Sequence, residues 1–235
     1  LISYLGRVNY NFQQKYYLTA SVRADGSSRF GENNKFAIFP SFALSWRLSE
    51  EPFMSDLEFI SNLKLRTSWG QTGNQEIGNY ASLATLGAGG LALLGNQQVI
   101  GFNPIRIPNP DLKWETTTQL DIGVYLELFE GRIDLVADYF VKNTEDLLLN
   151  LPLPKSSGYN SILSNVGSVE NKGVEVLLNT RNVVGSNFSW SSTLTYTQIS
   201  NQVTSLGDID RFTQGGLPFT ADITIVQEGS PLNSY

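Results

Sequence analysis

Hydrophobic and polar positions alternate strictly between residues 118 and 142. Leu120, Ile122, Val124, Leu126 and Leu128 fall on one face, and Gln119, Asp121, Gly123, Tyr125 and Glu127 on the other. After Glu130-Gly131 the pattern resumes, with Ile133, Leu135, Ala137, Tyr139 and Val141 opposite Asp134, Asp138 and Lys142. Period-two alternation is the signature of a strand with one face in an apolar medium. A two-residue loop at Glu130-Gly131 aligns Leu128 with Ile133, Leu126 with Leu135, Val124 with Ala137 and Ile122 with Tyr139. A slip of one residue would destroy that match. Each arm is about ten residues or longer, against a usual strand length of roughly five to six. Long strands, one apolar face and a tight turn at one end predict a transmembrane β-hairpin.

The same alternation recurs along the chain. Tyr4, Gly6, Val8, Tyr10 and Phe12 oppose Ser3, Leu5, Arg7, Asn9 and Asn11, and Tyr16, Leu18, Ala20, Val22 and Ala24 oppose Tyr17, Thr19, Ser21, Arg23 and Asp25. A three-residue loop, Gln13-Gln14-Lys15, keeps these faces together by placing Tyr10 opposite Leu18 and Val8 opposite Ala20. A third strand is predicted over 36–48, with Pro40 above the paired part of the sheet or at a bulge. A turn with a short helix follows over 49–62. A fourth strand spans 63–73, with Leu63, Leu65, Thr67 and Trp69 out and Lys64, Arg66 and Ser68 in. Strands seven and eight are expected over about 172–182 and from Phe188 to Thr197, and another begins near 223–226.

Residues 26–35, 71–113, 148–171 and 205–219 read as longer loops; the second is far beyond ordinary connector length and points to function. Residues 13–15, 49–62, 130–131 and 183–187 are compact. Outer-membrane barrels have short periplasmic turns and longer extracellular loops, so the compact set is expected at the periplasmic rim. Phe12, Tyr16, Trp46, Phe129, Phe188 and Trp190 sit beside those turns, where an interfacial aromatic girdle belongs.

Composition narrows the chemistry. The 235 residues carry a net charge of −6, no histidine and no cysteine. The acidic balance argues against a nucleic-acid partner, which needs a basic stripe. Catalysis through Ser-His-Asp or Cys-His is excluded, and so are most zinc sites. No run of 18 or more apolar residues offers a transmembrane helix. The absence of an initial Met and of a signal peptide suggests an internal segment of something larger. No cofactor is expected. Gly87-Ala88-Gly89-Gly90 lacks a following Lys-Ser/Thr and is read as a flexible loop, not a phosphate loop.

In the hairpin register Glu127 and Asp134 lie directly opposite, roughly 5 Å apart at Cβ. That approaches the carboxylate separation of retaining glycosidases, roughly 5–5.5 Å. Nothing in the sequence builds a sugar-binding cleft around them, so a solvated wall is the preferred reading. Asp134, Asp138 and Lys142 are spaced about 13 Å apart along one strand and cannot form one site. With Arg23, Arg47, Arg66, Asp121, Glu127 and Glu175 they make candidate lumen- or plug-facing groups. Tyr80, Phe102, Trp114 and Tyr159 are candidate ligand-contacting aromatics of the long loops; Phe212 and Phe219 lie in or beside a loop as well.

Several separate motifs fall in order: Gly6-Arg7-Val8-Asn9-Tyr10; Lys15-Tyr16-Tyr17-Leu18-Thr19-Ala20-Ser21-Val22-Arg23-Ala24-Asp25-Gly26-Ser27-Ser28-Arg29-Phe30-Gly31; Ser45-Trp46-Arg47-Leu48-Ser49-Glu50-Glu51-Pro52-Phe53-Met54; Trp69-Gly70-Gln71-Thr72-Gly73-Asn74; Asn109-Pro110-Asp111-Leu112-Lys113-Trp114-Glu115; and Asn171-Lys172-Gly173-Val174-Glu175. Over nearly its whole length the chain resembles the SusC/RagA family of TonB-dependent outer-membrane transporters. The resemblance implies a barrel of about 22 strands around an N-terminal plug. It further implies a SusD-like surface lipoprotein partner, import of oligosaccharides or peptides across the outer membrane of a Gram-negative cell, and energy from the TonB complex. Residues 1–235 then form a partial, all-β, antiparallel transmembrane barrel domain of about 8–9 long strands, without plug, TonB-contacting segment or closing strand. No enzyme activity is expected. A soluble surface glycan-binding β-sandwich is the alternative; it predicts apolar faces buried against a second sheet.

Overall fold

A computed structural model describes residues 1–95, 97–207, 209–214 and 224–232. The chain opens with β1 (Ile2–Phe12), β2 (Tyr16–Gly26), β3 (Phe36–Arg47) and β4 (Ile60–Asn74). A hairpin of β5 (Thr85–Leu94) and β6 (Gln97–Arg106) precedes β7 (Glu115–Leu128) and β8 (Ile133–Glu145). A second small hairpin, β9 (Leu148–Pro152) and β10 (Ser161–Asn165), leads into β11 (Ser168–Val184) and β12 (Ser189–Ser205). The short β13 (Arg211–Gln214) and β14 (Thr224–Gln227) pair with each other. The main sheet has eight strands in the order β1-β2-β3-β4-β7-β8-β11-β12, and every neighbouring pair is antiparallel.

The registers follow from the hydrophobic pattern. Tyr10 faces Leu18 and Val8 faces Ala20. Leu128 faces Ile133, Leu126 faces Leu135 and Ile122 faces Tyr139. The turn at residues 13–15 is of the primed type that suits twisted strands: Gln13 and Gln14 take φ of 53° and 57°, and the Lys15 N–H donates to the Phe12 carbonyl at 3.1 Å. The second tight turn spans residues 129–132, with positive φ at Phe129, Glu130 and Gly131.

The sequence expectations need several corrections. Residues 71–113 are not one irregular loop, because they contain β5 and β6, and Gly87-Ala88-Gly89-Gly90 lies in β5 rather than in a flexible loop. The loop expected over 148–171 contains β9 and β10 and the start of β11. β11 and β12 each run 17 residues, well past their expected ends. The short helix expected over 49–62 is a pair of 3-10 turns, Leu48–Glu50 and Pro52–Met54. Pro40 sits inside the β2–β3 ladder opposite Val22, but just outside the β3–β4 ladder, which begins at Ser41. The expected strand near 223–226 is β14; Ile223 and Phe219 lie outside the described residues.

Among the described residues no second sheet covers the apolar face. Val8 is 68% exposed and Ile122 53%, and Tyr4, Leu44, Leu194 and Tyr196 are likewise open. A water-soluble sandwich would bury this face, so the sandwich alternative fails and lipid is the fitting neighbour. Burial is concentrated at the long-loop rim. Phe30, Phe39, Ala81, Leu112 and Trp114 form one core; Val169, Val203, Leu206, Phe212 and Val226 form another. At the opposite rim an aromatic row crosses three strands, with centroid distances of 6.5 Å for Tyr10–Phe12, 6.4 Å for Phe12–Tyr16 and 6.1 Å for Tyr16–Trp46. Phe59 and Phe129 add a pair at 6.2 Å, and Phe188 and Trp190 are exposed.

Candidate functional site: the polar face and the loop platform

Registers place Arg23, Arg47, Arg66, Asp121, Glu127, Asp134, Asp138, Lys142 and Glu175 on the face opposite the apolar one. Five of them come together. Arg66, Asp121, Asp138, Lys142 and Glu175 line one trough of about 620 Å³. Arg23 lies in an adjoining trough with Arg7, Ser21 and Ser41. Arg47 stands apart at the short-turn rim, where it pairs with Glu50 at 3.4 Å. Glu127 and Asp134 do face each other. Glu127 accepts the Tyr125 hydroxyl at 3.2 Å, so this carboxylate pair is part of a hydrogen-bonded wall.

The centre of the trough is an ion pair that reaches across a strand. Arg66 on β4 and Asp138 on β8 flank β7 at Gly123. Arg66 Nε donates to Asp138 Oδ1 at 3.1 Å and Nη2 donates to Oδ2 at 2.5 Å, a bidentate fork. A Cβ at Gly123 would overlap both Asp138 Oδ1 and Arg66 Nε, so the missing side chain is what lets them meet. Alternation alone shows Gly123 only as a weak position on the polar face. Its role depends on β4 and β8 being neighbours of β7, which the sequence does not display. Asp121 is held by Ser68 Oγ at 3.0 Å and Gln119 Nε2 at 2.8 Å. Lys64 rests over the Tyr17 ring, 5.3 Å from its centroid. Phe140, not singled out from sequence, stands on this face above Gly173, where a Cβ would crowd its ring.

Charge is unevenly distributed across this face. On β1–β4 it carries Arg7, Arg23, Arg47, Lys64 and Arg66 against the single acid Asp25. On β7, β8 and β11 it carries Glu115, Asp121, Glu127, Asp134, Asp138 and Glu175. Lys142 and Arg181 are the bases of that half. The Arg66–Asp138 fork lies on the seam between the two halves.

The long-loop rim is a platform built from the sequence motifs. The Gly31 N–H donates to the Leu112 carbonyl at 2.9 Å, and a Cβ at Gly31 would overlap the Pro110 carbonyl. Arg29 reaches Asn79 Oδ1 at 3.1 Å and the Gln75 carbonyl at 3.0 Å. Asn165 Nδ2 donates to the carbonyls of Lys113 and Asp146, and Asn109 Nδ2 to that of Leu163. Trp114, expected among ligand-contacting aromatics, is instead 5% exposed. It packs on Phe30 at 4.8 Å and Phe39 at 5.7 Å, and donates its indole N–H to the Lys35 carbonyl at 3.2 Å. Phe212 is buried too. Tyr80 and Phe102 are open, Phe102 at 73% exposure, and Tyr159 is half-buried.

At the short-turn rim, Glu51 accepts Tyr16 Oη at 2.6 Å and Trp46 Nε1 at 3.1 Å, with Lys15 Nζ at 3.5 Å. The Tyr16 and Trp46 hydrogen bonds, and then the Lys15 charge, hold its carboxyl below the ordinary value. Among the described residues no cluster of Asp and Glu is arranged to hold a metal ion.

An open eight-stranded antiparallel sheet with one lipid-compatible face and one charged face is part of a membrane barrel wall. Residues 3–226 match the family model described as TonB dependent receptor-like, beta-barrel, and the chain belongs to that family. Its members are transporters and not enzymes, and its barrels lie in the outer membrane. The chain is 40% identical over its full length to TonB-dependent receptor P39 of Formosa agariphila, of which it covers 22%. It is 34% identical to the TonB-dependent receptor SusC of Bacteroides thetaiotaomicron over 92% of this chain and 22% of SusC. The RagAB peptide transporter superposes on 99% of the chain with a TM-score of 0.86 and 32% identity, covering 25% of that protein. The chain thus spans about a quarter of the length of the relatives it matches.

Proposed function

We propose that this chain is a segment of the wall of a SusC/RagA-type importer that carries oligosaccharides or peptides across the outer membrane. The observation behind this reading is the eight-stranded sheet whose apolar face is uncovered while its opposite face is charged. In this reading the polar face lines the lumen and meets the plug. The long-loop rim faces outward toward a SusD-like lipoprotein, with Tyr80, Phe102 and Tyr159 available to substrate. Energy comes from the TonB complex through parts of the protein outside these residues. The assembly of RagAB, a peptide importer, supports a two-component complex of this kind.

This chain contributes no cysteine, so its orientation can be read by labelling single cysteines placed in a full receptor from which any others have been removed. Phe102→Cys in the full receptor should react with a membrane-impermeant maleimide on intact cells, and Gln14→Cys should react only after the outer membrane is opened. Reaction of Gln14→Cys in intact cells would reverse the orientation. Deletion of the gene, followed by growth on a panel of glycans and peptides, tests import; unchanged growth on every compound would sink the reading.

A further inference from the structure

We infer that the apolar face carries a seat for one phosphatidylethanolamine molecule of the periplasmic leaflet, with an acyl chain over Thr67 and the headgroup on Lys15 and Glu51. This rests on the importer reading, which puts that face in lipid and the short turns at the periplasmic rim, and it adds a ligand that the reading does not name. The seat follows from the registers. Leu18, Leu44, Thr67 and Ile122 form one row across β2, β3, β4 and β7. The row nearer the short turns carries Tyr16 and Trp46, stacked at 6.1 Å, and the row beyond carries Phe42 and Trp69, stacked at 6.2 Å. Thr67 is the shortest side chain of its row. Its hydroxyl is turned into the sheet, Oγ1 donating to the Asp121 carbonyl at 3.0 Å, which leaves the methyl group for the floor. The result is an open apolar groove of about 440 Å³ along this row, bordered by Tyr16 and Trp46. An apolar cavity of about 150 Å³ already takes benzene, so the groove has room for a length of hydrocarbon chain.

The groove leads to a charged mouth. Tyr16 and Trp46 both direct their polar ends to Glu51 Oε1, at 2.6 Å and 3.1 Å. Among the described residues Oε2 has Lys15 Nζ alone, at 3.5 Å. That is long for a charge-assisted contact, which normally closes to about 2.7–2.9 Å. Both side chains are sheltered, at 21% exposure for Lys15 and 12% for Glu51. An ammonium with donors to spare beside a carboxylate with an acceptor to spare matches a zwitterion. The lipid phosphate accepts from Lys15 and the primary ammonium donates to Glu51 Oε2. Phosphatidylglycerol brings the same phosphate without a cation, and meets Glu50 and Glu51. The trimethylammonium of phosphatidylcholine has no N–H to donate. Height in the membrane selects the leaflet: the short-turn rim lies in the phospholipid layer, away from the lipopolysaccharide of the outer leaflet.

The test is native mass spectrometry of the full receptor in detergent, titrated with phosphatidylethanolamine, phosphatidylglycerol and phosphatidylcholine of identical acyl chains. The expected result is one retained phosphatidylethanolamine, bound about tenfold more tightly than either other lipid, as one charge-assisted hydrogen bond supplies. Lys15→Gln should level the three lipids. Thr67→Phe, which fills the groove at its floor, should abolish retention of all three. Leu194→Phe, on the same apolar face but away on β12, should leave retention unchanged. Folding of each variant is checked by heat-modifiable gel mobility. Equal affinity of the unaltered receptor for the three lipids overturns the proposal without recourse to any variant. Retention by Thr67→Phe equal to that of the unaltered receptor overturns it too, as does an equal loss in Leu194→Phe, which marks the general lipid annulus. Each of these outcomes leaves the importer reading intact. Retention of lipopolysaccharide in place of phospholipid, with Gln14→Cys reactive in intact cells, removes the proposal and the orientation together.

Discussion

The fork between Arg66 and Asp138 should exist only as long as residue 123 has no side chain. Both partners are partly solvated, at 46% and 25% side-chain exposure. The pair is therefore worth about 1 kcal/mol, the upper end for exposed ion pairs, since its bidentate geometry is favourable but water screens it. Gly123→Ala pushes a methyl group into the space occupied by Asp138 Oδ1 and Arg66 Nε, which are ends of flexible side chains and can swing away. The backbone is then spared, and replacing a glycine within a strand recovers about 0.5–1 kcal/mol. Net stability should scarcely change, so a single melting comparison would miss the effect. A double-mutant cycle isolates it. With Arg66→Gln, Asp138→Asn and both together in the full receptor, unfolding by guanidinium in detergent should give a coupling of about 1 kcal/mol. The same cycle built on Gly123→Ala should give a coupling within about 0.3 kcal/mol of zero. A coupling that persists undiminished with alanine at 123 would refute the argument that the glycine makes room for the pair.

Further outcomes can be stated briefly. Trp114→Ala removes the centre of the platform core and should cost about 3–5 kcal/mol locally, read as faster hydrogen exchange and protease cleavage over residues 75–113 with the main sheet still protected. The Glu51 carboxyl is depressed in the folded protein, so its contribution is fully present above the ordinary glutamate value of about 4.5 and is lost as pH falls through the lower folded value. Glu51→Gln should flatten that acid limb, seen in melting profiles below pH 5; an unchanged limb would place the acid sensitivity elsewhere. Gln14 holds a φ of 57°, and Gln14→Gly should raise stability by about 0.5–1 kcal/mol by relieving left-handed strain, measured as a shift in guanidinium midpoint.

Wherever one face of a strand is apolar and the other polar, the sequence determines register. That is why Leu128 and Ile133, or Tyr10 and Leu18, could be paired from alternation alone. The hairpin of β5 and β6 escaped because Gly87-Ala88-Gly89-Gly90 has no face to compare and Leu93-Leu94 is apolar on both sides. The far ends of β11 and β12 escaped because there the faces trade character: Ile199 falls opposite Gly173 on the polar side, and Gln198 opposite Val174 on the apolar side. Trp114 looked like a free loop aromatic because its partners Phe30 and Phe39 lie far away in the chain. The members of the polar face were legible by parity. Their pairing was not, since Arg66 and Asp138 are 72 positions apart and meet only through the strand order.

The length of β11 and β12 has a mechanical consequence. Strands of 17 residues, tilted by roughly 40°, climb about 44 Å along the barrel axis, while the apolar band is about 25 Å tall. Close to half of this paired sheet therefore stands clear of the lipid as a parapet, tied by a backbone ladder that is irregular only near Ser168/Val169 and Arg181/Val183 rather than carried on loops. A protein that settles on that rim pushes against a beam anchored in the membrane, and any displacement it imposes is transmitted down β11 to the charged trough that Glu175 lines instead of being absorbed at the surface.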